Sequence, residues 1–163
     1  MSRTQITMRL YINGPMCRKK DDSSTQSSLG FKISGMCTWS GSEKCVLGKS
    51  ECAAASANMA DLLRSFADSR SGMVPRHVWL PVIEVIADIS RWVDAQRGPS
   101  WHLVSVSLLV IYEGATTRSE HLRVRCGLVD FAHSFFVADG PDYNMLRALH
   151  SLRSVLDTIC SRS

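Results

Sequence analysis

The period of apolar and polar residues along this chain changes three times, from strand to helix, back to strand and again to helix, and the changes divide it into elements. Residues 8–12 are compatible with a short strand, which Asn13-Gly14-Pro15 breaks. The run Arg18-Lys19-Lys20-Asp21-Asp22, followed by Ser, Thr and Gln, reads as a solvated loop. From residue 29 to 39 the pattern alternates. Phe31, Ile33, Gly35, Cys37 and Trp39 fall on one face, and Lys32, Ser34, Met36 and Thr38 on the other, which predicts a strand. Residues 41–50 read as a polar connection.

Two helical stretches follow. Met59, Leu62, Leu63 and Phe66 recur at i, i+3, i+4 and i+7, the spacing of one helix face. Gly72 and Pro75 punctuate the chain after it. Val82, Val85, Ile86, Ile89 and Val93 make a second stripe, with Pro81 expected in its first turn and Gly98-Pro99 closing it. The period then returns to that of a strand. Residues 103–112 are almost wholly apolar apart from Ser105 and Ser107, as in a strand covered on both faces. Residues 122–129 set Leu122, Val124, Cys126 and Leu128 against Arg123, Arg125 and Gly127, and the connection 113–120 suits a β-hairpin. Met145, Leu149, Leu152, Leu156 and Ile159 predict a last helix over about 143–160. Strands, then helices, strands and a final helix define an α+β protein with an antiparallel sheet and packed helices.

Composition narrows the classes. At 163 residues the chain has the size of about one domain with a core of its own. A formal net charge of +4 suits an anionic ligand, yet the clustered basic face and stacking aromatics of a nucleic-acid binder are lacking. The longest apolar run is too short to span a bilayer. Cys17, Cys37, Cys45, Cys52, Cys126 and Cys160 contain no C-x-x-C pair, and the polar, basic start carries no signal-peptide pattern. Reduced, mostly buried thiols and an intracellular location, cytoplasm or nucleus, are the expectation.

Few residues invite chemistry. Asp130, where the 122–129 strand ends, is either a turn acid or a carboxylate projected into a cleft, where it could hold a divalent metal against phosphates. Ser107 is either a buried serine bonded to backbone or part of the same site, since the hairpin would bring its strand beside that of Asp130. His133 reads as a turn residue and Lys49, after Gly48, as a solvated cation ahead of the first helix. Asp139 and Asp142, in D-G-P-D-Y-N, read as turn and helix-start residues. There is no Gly-rich phosphate loop and no G-x-S-x-G elbow.

Several strings taken together carry a resemblance. They are L-G-F-K-I-S-G-M (29–36), L-G-K-S (47–50) ahead of a helix ending in R-S-F, S-V-S-L-L-V-I-Y-E-G (105–114), V-R-C-G-L-V-D-F-A-H-S (124–134) and D-G-P-D-Y-N-M-L-R-A-L-H-S-L (139–152). In this order they resemble the C-terminal half of the inositol polyphosphate kinase family, and D-F-A-H is more like its multikinase and hexakisphosphate kinase branches. The resemblance implies the C-lobe of the inositol polyphosphate kinase (SAICAR synthase-like) fold and ATP-dependent phosphoryl transfer to a hydroxyl of an inositol phosphate. It implies that Asp130 holds Mg²⁺ on the nucleotide phosphates, with Ser107 close by, and that Lys49 and His133 contact the inositol phosphate. Three departures accompany it. No P-x-x-x-D-x-K-x-G string occurs, Val106 replaces the first serine of S-S-L-L, and Arg147-Ala148-Leu149 replaces a G-L pair. Residues 29–163 are therefore expected to form the C-lobe-like domain, with residues 1–28 standing where the N-lobe and that motif would be. A shortened product, an incomplete gene model or a degenerate copy would each give this pattern. The alternative function is a catalytically inactive remnant that binds inositol phosphates or a protein.

Overall fold

The computed structural model describes residues 5–12, 25–40, 43–67, 75–113, 122–138 and 140–162. The Arg18–Asp22 run, Cys17, Gly72, Asp139 and the connection beyond Glu113 lie outside them. The architecture is α+β. Strands β1 (Gln5–Ile12), β2 (Phe31–Ser40), β3 (Glu43–Leu47), β5 (Ser107–Glu113) and β6 (Val124–Val129) form one antiparallel sheet in the order β3-β2-β1-β5-β6. Strands β4 (Ser100–His102) and β7 (Phe135–Val137) pair as a separate ribbon. The helices are α1 (Thr25–Leu29), α2 (Lys49–Ala55), α3 (Met59–Ala67), α4 (Pro75–Asp94) and α5 (Tyr143–Ser161). Strand β1, from the segment without a motif match, is the central strand, pairing with both β2 and β5.

One face of the sheet makes the core. Phe31, Ile33 and Met36 of β2, with Leu108, Val110 and Tyr112 of β5, are buried with Leu63 and Phe66 of α3, Val82 and Ile86 of α4 and the α5 stripe Met145, Leu149, Leu152, Leu156 and Ile159. Helices α3 and α5 bury every apolar position that their 3.6-residue spacing predicted; α4 buries Val82, Ile86 and Val93 of its stripe and also Ile83, while Val85 and Ile89 stay partly exposed. The Tyr112 hydroxyl donates to the Phe66 carbonyl, and the two rings meet edge to face at 5.3 Å.

The opposite face is different. Lys32, Gly35, Cys37, Leu109, Ile111, Gly127 and Val129 are partly exposed there and Arg125 is exposed. Ser107, on the same face, is fully buried, at 0% exposure.

Four expectations are corrected. The β2 alternation does not run unbroken: Arg9 pairs with Gly35 but Leu10 with Ile33, so Ser34 is an extra residue. A β-bulge of this kind shifts the phase, which sends Met36 into the core beside Phe31 and Ile33 and leaves Gly35 and Cys37 on the other face. Residues 41–50 are not merely a polar connection, because they contain β3 and the start of α2. An edge strand with Lys44, Cys45 and Val46 exposed lacks the burial that alternation reports. Pro81 lies inside α4 rather than in its first turn, which Pro75 opens. The stripe begins earlier than read, with Val78 and Trp79 buried. Finally, β5 starts only at Ser107, after a turn in which Ser105 takes a positive φ of 61°.

The thiols are free in all five described cysteines, but only Cys52 is buried; Cys37, Cys126 and Cys160 are partly exposed and Cys45 is exposed. No described helix is long and apolar enough to cross a membrane.

Gly30 explains part of the L-G-F-K-I string. It turns the chain from α1 into β2 at φ +77°, and a Cβ on it would lie 3.2 Å from both Cα and Cβ of Ala148. That contact is where α5 crosses the turn, so position 148, one of the departures from the family pattern, needs a small residue.

Candidate functional site

The β5–β6 hairpin sets Ser107 opposite Val129, and Asp130 is the next residue. Ser107 also pairs with Tyr11 on its other side, so it lies on an interior strand and is fully buried, while Asp130 emerges, exposed, at the end of the edge strand. Asp130 has φ 68°, one of two non-glycine residues with positive φ among those described. The other, Ser105, precedes β5 at the same end of the sheet. Left-handed backbone disfavours residues with a Cβ, although aspartate tolerates it better than most because its short side chain bonds locally. Here it turns the chain sharply off β6, and the Ser134 amide closes the turn by donating to the Phe131 carbonyl at 3.0 Å. His133 is exposed within that turn, three residues from Asp130.

The turn leads into the β4–β7 ribbon, which sequence reasoning missed because three-residue strands carry too little periodicity. Its aromatic side chains are largely exposed. Trp101 and Phe136 meet edge to face at 5.5 Å, and Phe135 lies 6.0 Å from the His102 ring. The ribbon is tied down by Asp142, which is 4% exposed. One carboxylate oxygen accepts from the Leu103 amide at 2.8 Å and the other caps α5 by accepting from Met145 at 3.0 Å. Asp142 is thus the helix-start residue its string suggested, and its role is to fix the β4–β5 turn to the first turn of α5. Ser100 Oγ donates to the Gly140 carbonyl, and His102 Nε2 lies 3.3 Å from the same oxygen.

Lys49 is brought to a different place. It is exposed at the start of α2, after Gly48, and follows β3 at the opposite edge of the sheet. Four inter-strand spacings separate β3 from β6, roughly 19 Å. Asp130, Ser107 and His133 therefore form one corner, and Lys49 stands across the sheet from it.

No three or more His, Cys, Asp or Glu side chains converge as a metal cage among the described residues. That donor set does fit an ion of the Mg²⁺ kind, which takes one or two carboxylates and completes its shell with water and ligand phosphates. An exposed, backbone-fixed Asp130 offers such a carboxylate.

A protein-family model described as inositol polyphosphate kinase matches residues 14–157, most of the chain. The chain belongs to the inositol polyphosphate kinase family and so is a phosphotransferase by kinship. Among particular proteins, the fold is similar to that in a solved structure described as "Structural Studies and Protein Engineering of Inositol Phosphate Multikinase". The TM-score is 0.79 at 23% identity, over 96% of this chain and 80% of that one. It is similar also to the inositol phosphate multikinase Ipk2 of S. cerevisiae, solved in complex with ADP and Mn²⁺. There the TM-score is 0.73 at 18% identity, over 95% of this chain and 78% of that one. No curated protein matches the sequence.

Proposed function

We propose that this protein is an intracellular kinase that uses ATP with Mg²⁺ to phosphorylate a hydroxyl of an inositol phosphate. The observation that carries this is the corner itself: an exposed carboxylate, fixed at the end of β6, one residue beyond the partner of the buried Ser107, in a chain of this family. The similarity to a multikinase solved with ADP and Mn²⁺ supports the choice of nucleotide and divalent metal.

Phosphoryl transfer asks a protein mainly for positioning and for stabilisation of charge on the transferring group. Asp130 would hold the metal, which supplies charge neutralisation to the nucleotide phosphates. Ser107 supports the phosphates beside it. His133, in the same turn, contacts the inositol phosphate, and Lys49 meets a phosphate at the distal side of that substrate.

The test is phosphate transfer from labelled ATP by the purified chain across a panel of inositol phosphates, with and without Mg²⁺. Transfer that requires Mg²⁺ and disappears in Asp130→Ala is expected; full activity in that variant overturns the metal assignment. One observation favours a second reading. The sequence has no P-x-x-x-D-x-K-x-G string, so a phosphate-binding remnant without turnover is the alternative. Calorimetry that shows inositol phosphate binding without transfer would select it.

A further inference from the structure

Between the Asp130 corner and Lys49 the open face of the sheet carries one row of cross-strand neighbours. Lys32 pairs with Tyr11, Tyr11 with Ser107, and Ser107 with Val129, so four strands contribute one residue each to a line ending beside Asp130. Paired residues in adjacent strands share a face of the sheet. Lys32 is flanked in sequence by Phe31 and Ile33, both buried on the helical side, so its side chain leaves from the open face, where it is partly exposed. It is the only cation in the row, since its companions are a tyrosine, a serine and a valine. Two strand spacings put its Cα roughly 10 Å from that of Ser107. A phosphorylated ligand held at Asp130 and extending over this face meets Lys32 before it reaches Lys49. The ammonium on its flexible four-carbon stem is a suitable point-charge contact for phosphate.

We propose that Lys32 is a phosphate-binding residue of this site, placed by the β1–β2 register to span the gap between Asp130 and Lys49. The phosphate belongs either to the nucleotide or to the inositol ligand, and the experiment separates the two. The inference rests on the kinase or phosphate-binding reading above, but it needs no turnover.

The full-length chain, as wild type, Lys32→Gln and Lys32→Arg, is titrated calorimetrically with two probes. One is a non-hydrolysable ATP analogue with Mg²⁺; the other is inositol trisphosphate, repeated with inositol hexakisphosphate. Arg153→Gln, on the exposed side of α5, controls for loss of one positive charge anywhere on the surface. Lys32→Gln should weaken one probe on the order of tenfold, the loss of one charge-assisted hydrogen bond, while Lys32→Arg and Arg153→Gln stay within about threefold. A loss confined to the analogue assigns Lys32 to the nucleotide, and a loss confined to the inositol phosphates assigns it to the substrate. Unchanged affinity of Lys32→Gln for every probe the wild type binds, with an unchanged melting curve, overturns the assignment and leaves the functional reading standing. A wild type that binds no probe overturns both.

Discussion

Replacing Asp130 separates what its carboxylate does from what its backbone costs, because two substitutions share the first effect and differ in the second. Asp130→Ala and Asp130→Gly both remove the carboxylate and every contact it makes. They differ at φ 68°. An alanine held there bears a left-handed penalty of about 1–2 kcal/mol, whereas glycine bears none but loses about 0.5–1 kcal/mol through its freer unfolded chain. The glycine variant should therefore be the more stable of the two by roughly 0.5–1 kcal/mol. On an ordinary extended strand end the order would reverse, since glycine's entropy would act alone. Urea unfolding of both variants, analysed at a common slope, reads the difference directly. Neither variant should transfer phosphate or show Mg²⁺-dependent nucleotide binding. An alanine variant more stable than the glycine one would refute the strained-turn geometry. Retained activity in both would refute the metal role while leaving the geometry intact.

Three further outcomes follow from the packing. Asp142→Ala should cost about 2–4 kcal/mol, a helix cap of about 1 plus the buried Leu103 amide left without an acceptor; a loss below about 1 kcal/mol in chemical denaturation would mean that its two bonds do not hold the ribbon to α5. Gly30→Ala combines a φ of +77° with a Cβ 3.2 Å from Ala148, and should lose about 2 kcal/mol or more in the same assay, whereas an unchanged midpoint would place α5 further away. Cys126 is partly exposed as a residue, but its packing against the core removes water from the thiol and pushes it from 9.0 up to about 12. The folded state thus keeps a proton that the unfolded state releases, and this contribution, complete below about pH 9, is lost as pH climbs towards 12. Cys126→Ala should flatten the fall of unfolding free energy over that window, and an identical slope would show the thiol to be solvated.

Sequence by itself determined three of the helices, α3, α4 and α5. The stripes through Leu62, Ile86 and Leu152 are each a sustained 3.6-residue period, and burial of an amphipathic face depends on little else. It also marked the β5–β6 hairpin, and with it the neighbourhood of Ser107 and Asp130, because an apolar run and an alternating run joined by a polar connection have few ways to pair. Ordered motif strings carried the family. Tertiary structure decided the rest. The bulge at Ser34, the edge strand β3 and the short strands β4 and β7 depend on which strand lies alongside, and no local period encodes that choice. The same holds for the line from Lys32 through Tyr11 to Ser107. Its members are distant in sequence, and only the insertion of β1 between β2 and β5 puts them side by side. The left-handed turn at Asp130 is likewise invisible in L-V-D-F-A-H-S, since aspartate is common in turns of every kind. What aims that carboxylate is where the edge strand ends.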